Sequence, residues 1–252
     1  MDGNRRNRKP DQIIWIYYFL CYIICKIYNM KIYFISDTHT KHNHLDKYFK
    51  KNVDPNENNV LIHSGDLTNV GEELDVRNFV YWFQYLHGFD TKIFIAGNHD
   101  FAFQQKPLWL KNYINDENLT QSDCTYLEDN EISINDIKIY GSPWQPWFNN
   151  WAFNLPRNGQ ELEDIWARIP DDTDILVTHT PPFGILDKTP MTKGNVGCEK
   201  LLERVKQIKP KIHVFGHIDS ARGIWEENGT LFINASVLDD YYHYKFNPIV
   251  ID

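Results

Sequence analysis

Residues that could do chemistry recur at one kind of place in this sequence: directly after a short apolar run. Asp37-Thr38-His39, Gly65-Asp66, Gly97-Asn98-His99-Asp100, Thr178-His179 and Gly216-His217 all stand there. Imidazole nitrogen together with carboxylate and amide oxygen makes a borderline-hard ligand set, suited to Mn, Fe, Zn and, less well, Mg. No thiolate belongs to it, which speaks against a structural four-ligand zinc site. The neighbouring pair His99 and Asp100 adds an imidazole beside a carboxylate, the arrangement that proton transfer uses. Taken singly these residues have plainer uses. Asp66 would cap a helix, His179 would be a hydrogen-bonded core histidine, and Gly97 and Gly216 would allow turns with positive φ. Their repetition after one apolar run after another gives them a common purpose.

The runs that must position them are "KIYFIS" (31–36), "NVLIHS" (59–64), "KIFIA" (92–96), "DILVT" (174–178) and "KIHVF" (211–215). Each is short, apolar and rich in β-branched residues, as a buried strand is. Helical spacing appears between several of them, from Glu72 to Leu86, where Val76, Val80 and Phe83 share a face, and from Gly197 to Ile208. Alternating strand and helix predicts an α/β fold. Ligands of such folds bind beyond the carboxyl ends of the strands, so five adjacent strands would bring their tips to one place. The stretches "TYLEDNEISINDIKIYGSPW", "GTLFINAS" and "NPIVI" predict antiparallel hairpins at sheet edges. The Pro- and Trp-rich segment from Ser142 to Pro156 reads as a loop. Its Trp144, Trp147 and Trp151 would either stack on a base or staple the loop.

Asp-x-His, Gly-Asp, Gly-Asn-His-Asp, a lone His after a strand and Gly-His, in that order, resemble the calcineurin-like metallophosphoesterases. The strings "YGSPWQPWFNNWAFNLP", "VTHTPPFGILD" and "HVFGHI" resemble one branch more closely, the metallophosphoesterase-domain proteins related to class III cyclic-nucleotide phosphodiesterases. The resemblance covers residues 30–252. It implies a four-layer αββα sandwich with two mixed sheets and two divalent metal ions, Mn favoured over Fe, Zn or Mg. Asp66 would bridge them, Asp37 and His39 would hold one, and Asn98, His179 and His217 the other. A bridging hydroxide would attack phosphorus. His99 would protonate the leaving group, with Asp100 holding its ring. The implied activity is phosphoester hydrolysis, of phosphodiesters before phosphomonoesters, with a small phosphoester or nucleotide, including cyclic nucleotides, as substrate. One position departs from the pattern. Where the family has Gly-His-x-His, this chain has Asp219, a shorter ligand that adds negative charge, and a weakened first metal site is expected. The rival expectation is a nucleotide- or partner-binding protein that kept the scaffold and lost useful turnover.

A net charge of -8 and a pI near 5.7 argue against a face that tracks duplex nucleic acid. The cysteines Cys21, Cys25, Cys124 and Cys198 form no Cys-x-x-Cys pair, which fits a reducing compartment and a cytoplasmic location. Residues 1–29 stand apart. Arg5, Arg6, Arg8 and Lys9 precede an apolar run, 13–25, which as a helix would reach about 20 Å, short of the roughly 30 Å hydrocarbon core. The segment is either a membrane anchor or secretory signal, with membrane association only through 13–25, or an extension ahead of a natural start at Met30. Sequons at Asn118, Asn228 and Asn234 fit secretion and chance equally in so Asn-rich a chain.

Overall fold

The computed structural model describes residues 30–106, 108–110, 113, 124–190, 192 and 194–252. The extension 1–29, with Cys21 and Cys25, lies outside the described residues, as does Asn118. Among those described, no helix is long and apolar enough to cross a membrane.

Two sheets carry the chain. The first runs in the order β13 (Ile249–Ile251), β1 (Met30–Ile35), β2 (Asn58–Ser64), β3 (Thr91–Ile95), β4 (Cys124–Tyr126), parallel except where β13 pairs antiparallel with β1. The second runs β11 (Gly223–Glu227), β12 (Thr230–Asn234), β10 (Ile212–Phe215), β9 (Ile175–Thr178), β6 (Ile137–Ser142), β5 (Asn130–Ile134). Its inner pairs are parallel and its outer two antiparallel. In the loop after β6, β7 (Gln145–Pro146) and β8 (Asn154–Leu155) form a small ladder of their own.

Period-two alternation along the strands builds the layers. Ile32 and Phe34 of β1, Val60 and Ile62 of β2, and Ile93 and Ile95 of β3 turn inward. They meet Ile139, Val177, Val214 and Ile233 of the second sheet in a buried cluster. The alternate residues Tyr33, Ile35, Leu61 and Phe94 turn outward, under α1 (Asp46–Asn52), α2 (Glu73–Tyr85) and α3 (Phe101–Gln105). On the far side Tyr140, Leu176, Phe215 and Phe232 pack under α4 (Gln160–Ala167) and α5 (Glu199–Ile208). The result is the αββα sandwich. Val76, Val80 and Phe83 do share the buried face of α2, joined by Phe79. At α5 the Cys198 sulfur accepts the Leu201 N–H, and the helix ends where Lys209 turns left-handed at φ 49.

Two expectations need correcting. The strands whose tips carry the chemistry are not five neighbours: β1, β2 and β3 belong to one sheet, β9 and β10 to the other. Of the shorter strands, β5 with β6 and β11 with β12 are antiparallel pairs at the two edges of the second sheet, and β13 is an antiparallel edge of the first. Strand β4 departs from that expectation, running parallel to β3. A strand's own sequence reports which of its faces are buried, not which strand lies beside it.

Candidate metal centre

All the motif residues gather where the carboxyl ends of β1, β2, β3, β9 and β10 open between the two sheets. Asp66, buried in the loop after β2, is the hub. Its Oδ2 lies 3.4 Å from His179 Nε2, 3.6 Å from His39 Nε2 and 3.9 Å from His99 Nε2. Its Oδ1 accepts the His99 backbone N–H at 2.9 Å. His39, Asp66 and His99 form one group able to hold a metal ion, and Asp66, His179 and His217 form a second.

The orientation of the imidazoles is set from behind by the end of β2 and the loop that follows it. His179 Nδ1 meets the Ser64 carbonyl at 3.0 Å, His39 Nδ1 that of Thr68 at 3.1 Å and His99 Nδ1 that of Asn69 at 2.6 Å. A carbonyl only accepts, so each Nδ1 carries a proton and each Nε2 is turned toward Asp66, where it can ligate a cation or carry a second proton. This is the backing usual for metal-ligating histidines. His179 Nε2 also lies 2.9 Å from Asn98 Oδ1, so one ring nitrogen faces two oxygens. A cation or a proton among them resolves that conflict, as would turning the Asn98 amide to present its NH2 to the ring. The residues present therefore fit divalent cations, and separations of 3.4–3.6 Å are open to two ligands each about 2.1 Å from one ion.

Without metal, protons stand in for the charge. Burial would depress His179, but Asp66 and then Asp37 raise it to about 9. Burial alone would raise Asp66; His179, His99 and His39 instead hold it well below the usual carboxylate range. Burial lowers His217 to about 3 and His39 to about 4, keeping both neutral and ready to ligate. Burial, then Asp66, raises Asp37 to about 6 against the opposing pull of His179.

The backbone is bent to make this possible. Asp37, His39, Asp66 and His217 have φ of 54°, 41°, 57° and 68°, the left-handed region that non-glycine residues enter at a cost of about 1 kcal/mol or more and mainly at functional sites. Gly97 and Gly216 are glycine for another reason than positive φ. A Cβ on Gly97 would lie 2.2 Å from Asp66 Oδ1, and one on Gly216 would lie 2.0 Å from Asp37 Oδ2.

Some sequence-derived residues sit differently from expectation. Asp100 does not touch the His99 ring. Its carboxylate is spent on the N–H groups of Leu67, Thr68 and Gly97 and on the Thr68 hydroxyl, so it ties the loops after β2 and β3 together while Asn69 backs the imidazole. Asp37 belongs to neither triad: it accepts the His217 N–H at 3.0 Å and the Ser236 hydroxyl at 2.9 Å. Asp219 opens a short 3-10 turn, and its Oδ1 has no hydrogen-bond partner although buried. Burial, then Asp37, drives its carboxyl up to about 9. The tryptophans divide. Trp144 is a staple, donating to Asp129 and meeting Phe153 edge-on. Trp151 stacks on His99 at 4.0 Å, and Trp147 is 60% exposed.

Sequence reasoning missed two supports. The ring of His63 accepts the Gly65 N–H on Nδ1 at 3.3 Å, so its Nε2 donates to the Thr38 hydroxyl at 2.9 Å and links the loops of Asp37 and Asp66. Tyr242 lies edge-on to His39 at 4.7 Å. Burial, then Asp66, Asp219 and Asp37, raises its phenol. A strand histidine just before Gly-Asp was the only signal for the first, and nothing in residue type marked the second.

Comparison with known proteins bears on this arrangement. The family model described as calcineurin-like phosphoesterase matches residues 30–220. Metallophosphoesterase domain-containing protein 1 of Homo sapiens is 39% identical over 236 residues, 86% of this chain and 69% of that protein. The UPF0046 protein C25E10.12 of Caenorhabditis elegans is 35% identical over 90% of this chain and 82% of its own. Among solved structures, TT1561 of Thermus thermophilus superimposes with a TM-score of 0.56 at 15% identity, covering 81% of this chain and 88% of that one. Phosphopantetheinyl hydrolase of Mycobacterium tuberculosis gives 0.56 at 15%, covering 85% and 91%. These two share the fold.

Proposed function

The chain belongs to the calcineurin-like phosphoesterase family, and from that premise we propose that it hydrolyses phosphodiesters, nucleotides among them, at a two-metal centre. His39, Asp66 and Asp37 would hold one ion; Asp66, Asn98, His179 and His217 would hold the other. Bound ions supply Lewis acidity toward phosphoryl oxygen, and Mn is the favoured ion. The observation that carries this reading is the convergence of three Nδ1-backed imidazoles on the single oxygen Asp66 Oδ2.

The protein's own groups have separate tasks. Asn69 and the stacked Trp151 fix the His99 ring, whose Nε2 would hand a proton to the leaving oxygen. Asp100 keeps the two ligand loops in register. Exposed Phe148, edge-on to His217 at 6.4 Å, supports a diester by offering apolar surface to its second substituent. Purified protein with Mn should hydrolyse bis-(p-nitrophenyl) phosphate. Asp66→Asn should lower the rate by more than about 100-fold, beyond the 10- to 100-fold typical of losing an outer partner of a metal ligand. A wild-type rate no higher than that of Asp66→Asn rejects the hydrolase.

Asp219 favours a second reading, a nucleotide-binding protein with little turnover, because it puts a third carboxylate beside Asp37 where the family pattern has an imidazole. Nucleotide binding without any metal-dependent rate would select it.

A further inference from the structure

Tyr242 occupies a place that packing alone does not explain. Its ring meets His39 edge-on at 4.7 Å, and His99 meets the same imidazole edge-on at 4.7 Å. Tyr242 and His99 are themselves 6.5 Å apart, so the phenol completes a cluster whose other members are site imidazoles. The backbone is held at φ 59°, a cost the surroundings must enforce. They do so from two directions. The Tyr242 N–H donates to the Asp239 carbonyl at 2.7 Å, and the Asp239 carboxylate accepts the N–H groups of Tyr241 and His243 at 3.0 Å each. The Lys41 ammonium donates to the Tyr242 carbonyl, which pins this loop to the one carrying Asp37 and His39.

Among the described residues, the Tyr242 hydroxyl has no hydrogen-bond partner, and the residue is 40% exposed at the rim of the site. A phenol is a donor at neutral pH, and it stands within the field of Asp66, Asp219 and Asp37, the carboxylates that any cation must neutralise. An anionic phosphoryl group drawn to that centre would bring its peripheral oxygens to the rim, where a donor is needed.

We propose that Tyr242 is a substrate-contacting residue whose hydroxyl donates a hydrogen bond to a non-bridging oxygen of the phosphoryl group. The proposal rests on the phosphoesterase reading for its substrate class.

Tyr242→Phe removes the hydroxyl and keeps the ring; Tyr242→Ala removes both. Three quantities are to be measured in the full chain: Mn affinity, affinity of the Mn-loaded protein for inorganic phosphate, and kcat/KM on bis-(p-nitrophenyl) phosphate. Tyr242→Phe should bind Mn within about twofold of wild type. It should lose about 10- to 100-fold in phosphate affinity and in kcat/KM, as for one hydrogen bond to a charged acceptor. Tyr242→Ala should add a loss of Mn affinity through His39. Phosphate affinity and kcat/KM unchanged in Tyr242→Phe would overturn the proposal and leave a packing residue. A wild type that binds phosphate but does not hydrolyse the diester defeats the hydrolase alone, and the phosphate comparison still decides Tyr242. A wild type that binds no phosphate overturns the contact as well.

Discussion

Asp219 is the residue at which this chain departs from the family pattern, and it belongs to neither metal-capable triad. Three carboxylates, Asp37, Asp66 and Asp219, share a buried space, and burial with Asp37 pushes the last of them up to about 9. Its unpartnered Oδ1 is a cost that an ion or a proton must relieve. An ion binding there must first displace the proton that the raised pKa holds on Asp219, a cost that imidazole, a longer neutral ligand, avoids. Asp219→His should therefore bind Mn about tenfold more tightly by calorimetry and turn over faster. If neither quantity moves, Asp219 lies outside the coordination shell. The residue scale also shows where reading by type stops. The carboxylate beside His99 reads as the holder of its ring, but its partners are three backbone N–H groups and the Thr68 hydroxyl; backbone N–H is supplied by every residue type except proline, so nothing in the letters said that Asp100 would brace loops.

Strand β10 shows how an element can carry a site and a liability together. Its last residue, Phe215, leads into Gly216 and His217, while His213 inside it points to the helix side. There His213 Nε2 lies 2.8 Å from the Thr178 hydroxyl and its Nδ1 has no partner. Burial lowers His213 to about 3, so the folded chain keeps it neutral while the unfolded chain takes up a proton below about 6.5. The stability tied to its neutrality is complete above that value and is lost as pH falls toward the folded pKa. From about pH 7 to about pH 5 that loss is about 2 kcal/mol. His213→Phe should flatten the pH dependence of urea unfolding by that amount over this interval, whatever it does to stability at neutral pH. A slope equal to wild type would show that His213 is charged in the fold. The element boundaries were legible because each strand is buried on both faces and its continuous apolar run stops at a ligand. Sheet membership was not, because β1 and β9 have the same apolar texture and only the inter-sheet packing separates them.

At the scale of the molecule, the candidate centre is a clasp between two sheets. Asp66, His39 and His99 stand on the first sheet and His179 and His217 on the second, while the cluster packed between the sheets is almost wholly aliphatic. An ion shared by Asp66 and His179 would join the two halves directly, and such binding stabilises the fold by about 2.7 kcal/mol at one hundred times the dissociation constant. For a chain of this size that is roughly 5–10 °C in the unfolding midpoint. Mn should raise the midpoint of wild type by this amount, and Asp66→Asn should lose most of the rise. Ile62→Val, in the inter-sheet core, provides the contrast. It should lower the midpoints with and without Mn alike, since about 0.5–1.5 kcal/mol of packing adds independently of a distant ligand. A Mn increment that Asp66→Asn retains would mean that the ion binds elsewhere, and the join between the two sheets would then owe nothing to metal at this centre.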